Sequence, residues 1–118
     1  MSVDVSVLVC THNGAERLPE TIRHLAAQQD DGIEWELLVI DNASIDDTRA
    51  VAQRECERRA EGIDHRLLYE PEPGKGNALE RGFREARGRY LVVCDDDTWL
   101  DPDYLRISAT VMDEHPEV

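Results

Sequence analysis

Residues 90–97 read YLVVCDDD, an almost entirely apolar run that ends in three consecutive aspartates. Short apolar runs of this kind are typical of strands that are covered on both faces, as in a parallel sheet. Two other runs have the same form, VSVLVC at 5–10 and WELLVI at 35–40. A fourth, RLLYE at 66–70, is more polar and is predicted to lie nearer an edge of the sheet. The predicted strands are Val5–Cys10, Trp35–Ile40, Arg66–Glu70 and Tyr90–Cys94.

Helical patterns fill the first two intervals between these strands. In the first interval, Pro19 is tolerated only in the first turn of a helix, where backbone N–H groups have no partner. In the second, Ser44 and Asp47 have the spacing of a capping box, which predicts a helix from there to about Arg59. The apolar positions of the first helix are Leu18, Ile22, Leu25 and Ala26.

Two further helices are predicted in the second half of the chain. One ends at RGR, residues 87–89, just before the last strand. Its apolar stripe consists of Leu79, Gly82, Phe83 and Ala86. In the other, Asp101 is predicted as the N-cap residue and Pro102 as the first helical residue, with Leu105 and Ile107 beginning the apolar face.

The resulting order, βαβαβαβα, predicts an α/β fold. Such an order implies right-handed crossovers and a mostly parallel, Rossmann-like sheet with helices on both faces. Because no linker, repeat or low-complexity stretch interrupts the pattern, a single domain is predicted over residues 1–118. In open sheets of this kind, ligands bind beyond the carboxyl ends of the strands. The loops that follow the strands are therefore the candidate site.

Composition limits the partners of this chain. Its 118 residues include 13 Lys plus Arg and 26 Asp plus Glu, and the net charge of −13 disfavours nucleic acid and anionic membrane surfaces. The apolar runs are far shorter than the roughly 20 residues of a membrane-spanning helix, so we expect no membrane span and a cytoplasmic protein. Cys10, Cys56 and Cys94 lack metal-type spacing and are expected to be buried, unpaired thiols.

Each predicted strand is followed by polar residues. The four segments are THNG at 11–14, DNAS at 41–44, PEPGKGN at 71–77 and DDD at 95–97. Any one of them is compatible with ordinary turn chemistry, in which Asn, Asp, Gly and Ser are common. Because the carboxyl ends of parallel strands meet at one edge of a sheet, the four together predict a site there.

The aspartate triplet requires a physical explanation. At an effective dielectric constant of about 20, two carboxylates roughly 5 Å apart repel by about 3 kcal/mol, so the cluster needs solvation, protonation or a counter-charge. Mg2+ and Mn2+ prefer oxygen ligands of this kind and would supply that charge. Alternation along an extended segment would turn Asp95 and Asp97 the same way and Asp96 the opposite way. A solvated acidic turn is the alternative.

Lys75 lies between two glycines just before a predicted helix, in PGKGNALERGF at 73–83. A flexible backbone, a lysine and a helix N-terminus together suit a phosphate or another anionic group, although neither common nucleotide-binding fingerprint is present. A glycine-rich loop with a solvated lysine is the alternative. His12 and His65 are interpreted as surface histidines. A zinc site is a minor alternative; its ligands would be Cys10, His12, Cys94 and Asp95.

The motifs taken in order resemble family 2 of the inverting nucleotide-sugar glycosyltransferases, whose fold is called GT-A. The resemblance rests on VSVLVCTHNGAERLPETIRHLAAQ at 5–28, ELLVIDNASIDDT at 36–48, GKGNALERGFREARGRYLVVCDDD at 74–97 and LDPDYL at 100–105. It implies transfer of a sugar from a nucleoside diphosphate sugar to an acceptor hydroxyl with inversion. UDP is the expected nucleotide, and guanine and thymine nucleotides are the alternatives. It also implies Mn2+ or Mg2+ as the cofactor.

The resemblance further implies roles for individual residues. Those implied to lie against the nucleoside are Thr11, His12, Asn13 and Glu16 in the first loop and Asp41, Asn42 and Ser44 in the second, with Asp41 bonding the base. Those implied beside the nucleotide and the sugar are Lys75, Gly76, Asn77 and Arg81. The triplet corresponds to the family's DxD region: Asp97 is the expected metal ligand, Asp95 the expected ribose contact and second metal ligand, and Asp96 the second choice for either role.

Domains of this family continue well beyond the DxD region, and the later part supplies the acceptor pocket and the catalytic base. The chain is therefore predicted to be the N-terminal donor-binding portion, truncated after the DxD region, and no catalytic base is assigned. Two alternatives are a non-catalytic nucleotide-binding or assembly module and an unrelated doubly wound receiver-type domain, which is disfavoured because the first strand ends in CTHN. An exposed sheet edge would favour association with another chain, such as a homo-oligomer.

Overall fold

The computed structural model describes residues 3–29 and 32–115, which form four strands and four helices in alternation. The strands are β1 (Val3–Thr11), β2 (Trp35–Asn42), β3 (Asp64–Glu70) and β4 (Gly88–Asp95). The helices are α1 (Leu18–Ala26), α2 (Thr48–Arg59), α3 (Lys75–Glu85) and α4 (Tyr104–Glu114). The predicted βαβαβαβα order is confirmed, and all four predicted strands are present with slightly wider bounds.

All four strands are parallel and lie in the order β3-β2-β1-β4. The strands β2 and β3 therefore lie on one side of β1, and β4 lies on the other. At the carboxyl edge, Thr11 of β1 is level with Asp41 of β2, and Cys10 is level with Asp95 of β4. Ligands of open α/β sheets bind where the strand order reverses, which here is the crevice between β1 and β4.

Apolar side chains cover both faces of the sheet. On one face, α1, α2 and α4 pack against alternate residues of β1 and β2 such as Val7 and Val39, neither of which is more than 1% exposed. On the other face, α3 packs against Leu8 and Ile40, both fully buried. Each large apolar side chain buried in this way contributes roughly 1.5–3 kcal/mol to folding. The predicted placement of helices on both faces is confirmed.

The helix α3 lies very close to the sheet. A Cβ atom at Gly82 would come within 2.6 Å of Cδ2 of Leu8, so glycine is needed for this approach. The buried residues of α3 are Ala78 and Gly82, whereas Phe83 is 49% exposed, and its predicted place in the apolar stripe is wrong. Phe83 follows Gly82 directly and is turned away from the sheet, because consecutive helical residues point in different directions.

Two predicted helix starts are also wrong. The helix α2 begins at Thr48, whose N–H donates to Oδ1 of Asp46 (2.9 Å), while the Ser44 hydroxyl accepts a hydrogen bond from another loop.

The helix α4 begins at Tyr104 rather than at Pro102. The turn before α4 is instead bound to the end of α1, where the Gln29 N–H donates to the Pro102 carbonyl (2.6 Å). In α4, Leu105 is buried as predicted, but Ile107 is 49% exposed.

The strand β4 forms an edge of the sheet and pairs with β1. Its Leu91 and Val93 are 41% and 45% exposed, because α3 lies across β1, β2 and β3. The predicted association with another chain stays a prediction. Within residues 3–29 and 32–115, no helix combines the length and the apolar character that crossing a bilayer requires.

Candidate functional site

A cavity of about 610 Å³ opens at the carboxyl edge of the sheet, in the crevice between β1 and β4. Its size is typical of sites for small-molecule ligands and cofactors. One wall is the aspartate triplet at the end of β4, and the other is the segment that leads into α3, with Lys75. The floor is formed by the ends of β1 and β2, where Thr11 and Asn42 lie. The polar loops therefore meet where the strand order predicts.

Asp96 faces into the protein. Its Oδ1 accepts a hydrogen bond from Nε of Arg17 (2.9 Å), and its Oδ2 accepts from Nη2 of Arg17 (2.9 Å) and from the Thr11 hydroxyl (2.8 Å). The residue is only 8% exposed, and the Thr21 hydroxyl donates to its backbone carbonyl. Burial acts to raise the pKa of Asp96, but the hydrogen bonds from Arg17 and Thr11 outweigh it and hold the pKa below its ordinary value. Asp96 is thus an ionised anchor that joins the triplet to α1.

Asp95 forms an ion pair across the cavity. Nζ of Lys75, the first residue of α3 and the only lysine of the chain, lies 2.5 Å from Oδ1 of Asp95. Both side chains are 57% exposed. The hydrogen bond to Asp95 raises the pKa of Lys75, so the ammonium is charged at neutral pH. This pair joins the two walls of the cavity.

Asp97 differs from its two neighbours. It lines the cavity and is exposed, and no hydrogen bond or ion pair joins it to any of the residues that the structure describes. The predicted opposite orientation of Asp96 is confirmed, although the strand ends at Asp95 and the next two residues form a turn. Arg17 and Lys75 offset two of the three negative charges, so the protein itself supplies most of the counter-charge that the sequence attributes to a metal.

The carboxylates fit a divalent cation that is shared with a phosphate ligand. In the described part of the chain, no three His, Cys, Asp or Glu side chains converge as a complete metal site. Mg2+ commonly binds one or two carboxylates and completes its shell with substrate phosphates. Asp97 and Asp95 provide oxygens of this type at the cavity wall.

The zinc alternative does not fit. Cys10 packs on the α3 face of the sheet, whereas Cys94 belongs to the core on the opposite face. Burial raises the pKa of Cys94 to about 11, so this thiol is protonated at neutral pH. All three cysteines are free and buried, as predicted.

Comparison with known proteins agrees with this geometry. The sequence model of the family described as "Glycosyl transferase family 2" matches residues 6–118. This chain belongs to glycosyltransferase family 2. Among the relatives of this family 2 chain is the succinoglycan biosynthesis protein ExoO of Rhizobium meliloti, 32% identical over 103 residues, which are 87% of this chain and 28% of ExoO. Another is the poly(ribitol-phosphate) beta-N-acetylglucosaminyltransferase TarS of Staphylococcus aureus, 26% identical over 110 residues, which are 93% of this chain and 19% of TarS.

Solved structures show the same fold. The mannosyltransferase PcManGT from Pyrobaculum calidifontis, in complex with GDP-Man and Mn2+, matches with a TM-score of 0.85 and 29% identity over 95% of this chain and 33% of that chain. S. aureus TarS 1-349 in complex with UDP matches with a TM-score of 0.84 and 23% identity over 97% of this chain and 33% of that chain. The predicted GT-A fold is confirmed. The family 2 chain spans 19% to 37% of the length of the curated relatives given above and of the human dolichyl-phosphate beta-glucosyltransferase.

Asn13 and Ser44 join the first two loops of the family 2 chain to each other. The Asn13 N–H donates to Oγ of Ser44 (2.9 Å), and the Ile45 N–H donates to Oδ1 of Asn13 (2.9 Å). Asn13 and Ala43 have positive φ angles of 51° and 53°, a conformation that asparagine adopts more readily than alanine. Neither Asn13 nor Ser44 lines the main cavity.

Asp41 and Asn42 are adjacent but face different spaces. Asp41 lines a separate cavity of about 190 Å³ on the α2 side, where Nε of Arg49 lies 3.7 Å from its Oδ2. Asn42 lines the main cavity and holds the segment that precedes Lys75. Its Nδ2 donates to the carbonyls of Glu70 (3.2 Å) and Glu72 (2.7 Å), and its Oδ1 accepts from the Gly74 N–H (2.9 Å). All the polar atoms of this amide group are therefore in use.

His12 lines the cavity as an exposed ring with a defined tautomer. Its Nδ1 lies 2.7 Å from the Asn42 carbonyl, which can only accept, so Nδ1 carries the proton. Its Nε2 is then the acceptor for the Asn13 amide (3.2 Å). Both ring nitrogens therefore have partners within the protein.

Half of the sequence-predicted residues line this cavity. They are Thr11, His12, Asn42, Lys75, Asp95, Asp96 and Asp97. Those that lie outside it are Asn13, Glu16, Asp41, Ser44, Gly76, Asn77 and Arg81. Among these outer residues, Nδ2 of Asn77 donates to the Pro73 carbonyl (3.0 Å). Nη1 of Arg81 lies 3.8 Å from Oε1 of Glu70.

Sequence reasoning missed several residues of the cavity wall, of which Arg17 is the most consequential. The others are Cys10, Pro73, Gly74 and Ala78. Arg17 could have been found from the sequence, because the aspartate triplet needs positive charge nearby. Arg17 is the only cation in the loop that follows β1. Cys10 was predicted as a buried thiol, and only the cavity geometry shows that it is also part of the floor.

Proposed function

We propose that this chain is the donor-binding portion of an enzyme that transfers a sugar from a nucleoside diphosphate sugar, with UDP as the nucleotide, to an acceptor hydroxyl. One observation carries the proposal: Lys75 and the carboxylates of Asp95 and Asp97 line a single cavity of about 610 Å³ at the reversal of the strand order. A diphosphate with a divalent cation needs both kinds of charge side by side. Family membership supports sugar transfer, and the GDP-Man and Mn2+ complex of PcManGT supports a nucleotide sugar bound with a divalent cation.

The residues of this chain would bind and orient the donor. A Mn2+ or Mg2+ ion, when bound, offsets the negative charge that develops on the departing diphosphate. Asp97 would hold this ion, with Asp95 as a second ligand. Lys75, on the opposite wall, would place its ammonium against the diphosphate oxygens, and the ring of His12 would lie against the nucleoside. Asp96 would hold the triplet in place rather than bind the ion, since Arg17 and Thr11 hold its carboxylate.

Inversion at the sugar carbon would follow from direct attack by the acceptor hydroxyl on the face opposite the diphosphate. Such an attack needs a general base within hydrogen-bonding reach of the hydroxyl. Among the described residues of the cavity wall, His12 and Asp96 already have protein partners. Asp95 and Asp97 remain, and the proposal assigns both to the metal. We therefore assign no base among the described residues of this cavity.

That shortage of free bases favours a second candidate function, a module that binds a nucleotide without turning it over. The two candidates share the donor cavity and differ in chemistry. If the chain binds UDP but neither transfers nor hydrolyses the sugar of any UDP-sugar supplied with candidate acceptors, the module is supported. Release of UDP in step with a glycosylated acceptor supports the enzyme.

Calorimetric titration with UDP tests the proposed donor site. We expect binding in the presence of Mn2+ and a loss of about tenfold or more in affinity when a chelator replaces the metal or when Asp97→Asn removes its ligand. Asp101→Asn is the matched control, because Asp101 is an exposed aspartate four positions further along and outside the cavity. Equal UDP affinity with metal and with chelator, retained in Asp97→Asn, would refute the metal role.

A further inference from the structure

Lys75 holds one oxygen of Asp95, the carboxylate proposed as the second ligand of a metal. Its Nζ lies 2.5 Å from Oδ1 of Asp95, and Asp95 is one of the two carboxylates of the triplet that are not buried against the protein. A lysine ammonium carries only donors, so it holds an oxygen that would otherwise be a metal ligand. The ion pair and a metal on the same oxygen exclude each other.

The three aspartates differ in how easily they exchange partners. Asp96 is buried and held by three hydrogen bonds from Arg17 and Thr11, so it is fixed. The Lys75–Asp95 pair is a single contact between two half-exposed side chains, and exposed pairs of this kind add little stability. Lys75 is also free to move, because a lysine has a flexible four-carbon stem and no other described residue forms a hydrogen bond or ion pair with its Nζ.

We propose that Lys75 is an exchangeable counter-ion for Asp95, which it releases when a nucleoside diphosphate binds. In the free protein, Lys75 neutralises Asp95. In the complex, Lys75 moves to the diphosphate oxygens, and Asp95 becomes available to the metal. This inference rests on the proposed function, since it takes the diphosphate as the group that accepts Lys75.

The exchange couples the two ligands. A metal that binds alone either displaces Lys75 from Oδ1 of Asp95 or takes the other oxygen of that carboxylate. In both cases the ammonium is left close to a divalent cation, with no further anion to receive it. A diphosphate removes this conflict, because it attracts both cations. The metal should therefore bind weakly alone and tightly with nucleotide, and linkage requires each ligand to strengthen the other by the same factor.

The variant Lys75→Gln distinguishes this exchange from a role in which Lys75 only binds the diphosphate. Without nucleotide, the variant should bind Mn2+ about two- to fivefold more tightly than the unaltered chain, measured by the loss of the free Mn2+ signal in electron paramagnetic resonance. With Mn2+ present, the same variant should bind UDP about tenfold or more weakly. A substitution that merely damages the fold would weaken both. Lys75→Arg keeps the charge and should restore weak binding of Mn2+ alone.

Arg84→Gln is the matched control for net charge. It removes one positive charge from the same helix, and Arg84 is exposed and outside the cavity. We expect it to leave both affinities unchanged. If, in the absence of nucleotide, Lys75→Gln binds Mn2+ no more tightly than Arg84→Gln does, the proposed exchange is overturned. This holds even if the unaltered chain binds UDP and the donor site is thereby upheld. Absence of UDP binding by the unaltered chain would instead overturn the proposed function itself.

The single lysine allows a direct observation of the exchange. In protein labelled with 15N-lysine, Lys75 provides the only side-chain ammonium signal. We expect UDP with Mg2+ to shift this signal, and Asp95→Asn to shift it in the absence of any ligand. An unchanged signal at UDP and Mg2+ concentrations that calorimetry shows to be saturating would contradict the proposal.

Discussion

Arg17 and Asp96 are 79 residues apart in the sequence and form a two-pronged ion pair at the wall of the cavity, with both N···O distances at 2.9 Å. This pair explains how the central residue of an aspartate triplet can be 8% exposed. A guanidinium presents parallel N–H donors that match the two oxygens of a carboxylate. The pair also links the loop after β1 to the loop after β4, the two segments between which the cavity opens.

Removing Arg17 should destabilise the protein. In Arg17→Gln, Asp96 keeps its charge in a buried position with only the Thr11 hydroxyl as a side-chain donor. We expect a loss of roughly 1–2 kcal/mol in the free energy of unfolding, less than for a fully buried pair because Arg17 is 45% exposed. Urea denaturation at neutral pH measures it. Adding Asp96→Asn should recover part of the loss, because it removes the unpaired charge.

Arg23→Gln is the control for that measurement. Arg23 also forms a two-pronged pair, with Glu20, but both partners lie on the exposed surface of α1. Exposed pairs contribute little, so Arg23→Gln should lower the free energy of unfolding clearly less than Arg17→Gln does. If Arg17→Gln costs no more than Arg23→Gln, the Asp96 anchor does not carry the stability that its burial suggests.

Glycine substitutions at two positions should have opposite effects. A Cβ atom at Gly14 would overlap with Oγ1 of Thr11 and Oδ2 of Asp96, whereas nothing lies within 4 Å of one at Gly76, in the first turn of α3. We expect Gly14→Ala to lower the free energy of unfolding by about 1–3 kcal/mol and Gly76→Ala to raise it by about 0.5–1 kcal/mol. Thermal denaturation compares them. A neutral Gly14→Ala would show that the anchor tolerates displacement.

The fold could be predicted because β1 and β2 are buried on both faces, and that burial requires nearly continuous apolar runs. The run of β4 has the same form and was predicted in the same way, although Leu91 and Val93 leave one face of this edge strand partly exposed. The more polar β3 is an edge strand, as expected. Helix starts were harder to predict, because capping residues were used for other contacts: the Ser44 hydroxyl binds the loop after β1, and the Asp101–Pro102 turn is bound to Gln28 and Gln29 at the end of α1.

The site could be predicted only in part for a similar reason. Topology placed the polar loops at one edge, and the triplet correctly indicated a need for positive charge. The nearest sources of that charge, Arg17 and Lys75, lie 79 and 20 residues from their partners, and local sequence spacing carries no signal of such pairs. The side chains of Asp41 and Asn42 point into different cavities because adjacent strand residues point to opposite faces of the sheet. Which of the two faces the main cavity therefore depends on where β2 ends.

A second buried carboxylate should make stability depend on pH. Glu36 is fully buried at the opposite end of the sheet, where it accepts hydrogen bonds from the Ser6 hydroxyl (2.6 Å), the Arg87 N–H (2.7 Å) and the side chains of Arg66 and Arg87. Burial acts to raise the pKa of Glu36, but these hydrogen bonds outweigh it and lower the pKa below its ordinary 4.5. Its ionised form is therefore favoured by folding.

The sign of this dependence follows from linkage. With a lowered pKa in the folded state, the unfolded chain takes up the proton first, so the stabilisation is complete above about pH 4.5 and is lost as pH falls through the folded pKa. At neutral pH, we expect Glu36→Gln to cost about 2 kcal/mol, and this difference should shrink as the pH falls below about 4.5. Glu61→Gln, at an exposed glutamate, is the control. A difference that stays constant down to pH 3 would contradict the assignment.

The donor cavity is tested most directly by a crystal structure of this chain with UDP and Mn2+. We predict the diphosphate between Lys75 and the triplet and an anomalous manganese peak bonded to Asp97. Nζ of Lys75 should lie on a phosphate oxygen instead of Asp95, and Asp96 should still be held by Arg17. UDP bound in the smaller cavity beside Asp41 and Arg49, with Lys75 still paired to Asp95 and Asp97 in bulk solvent, would contradict it.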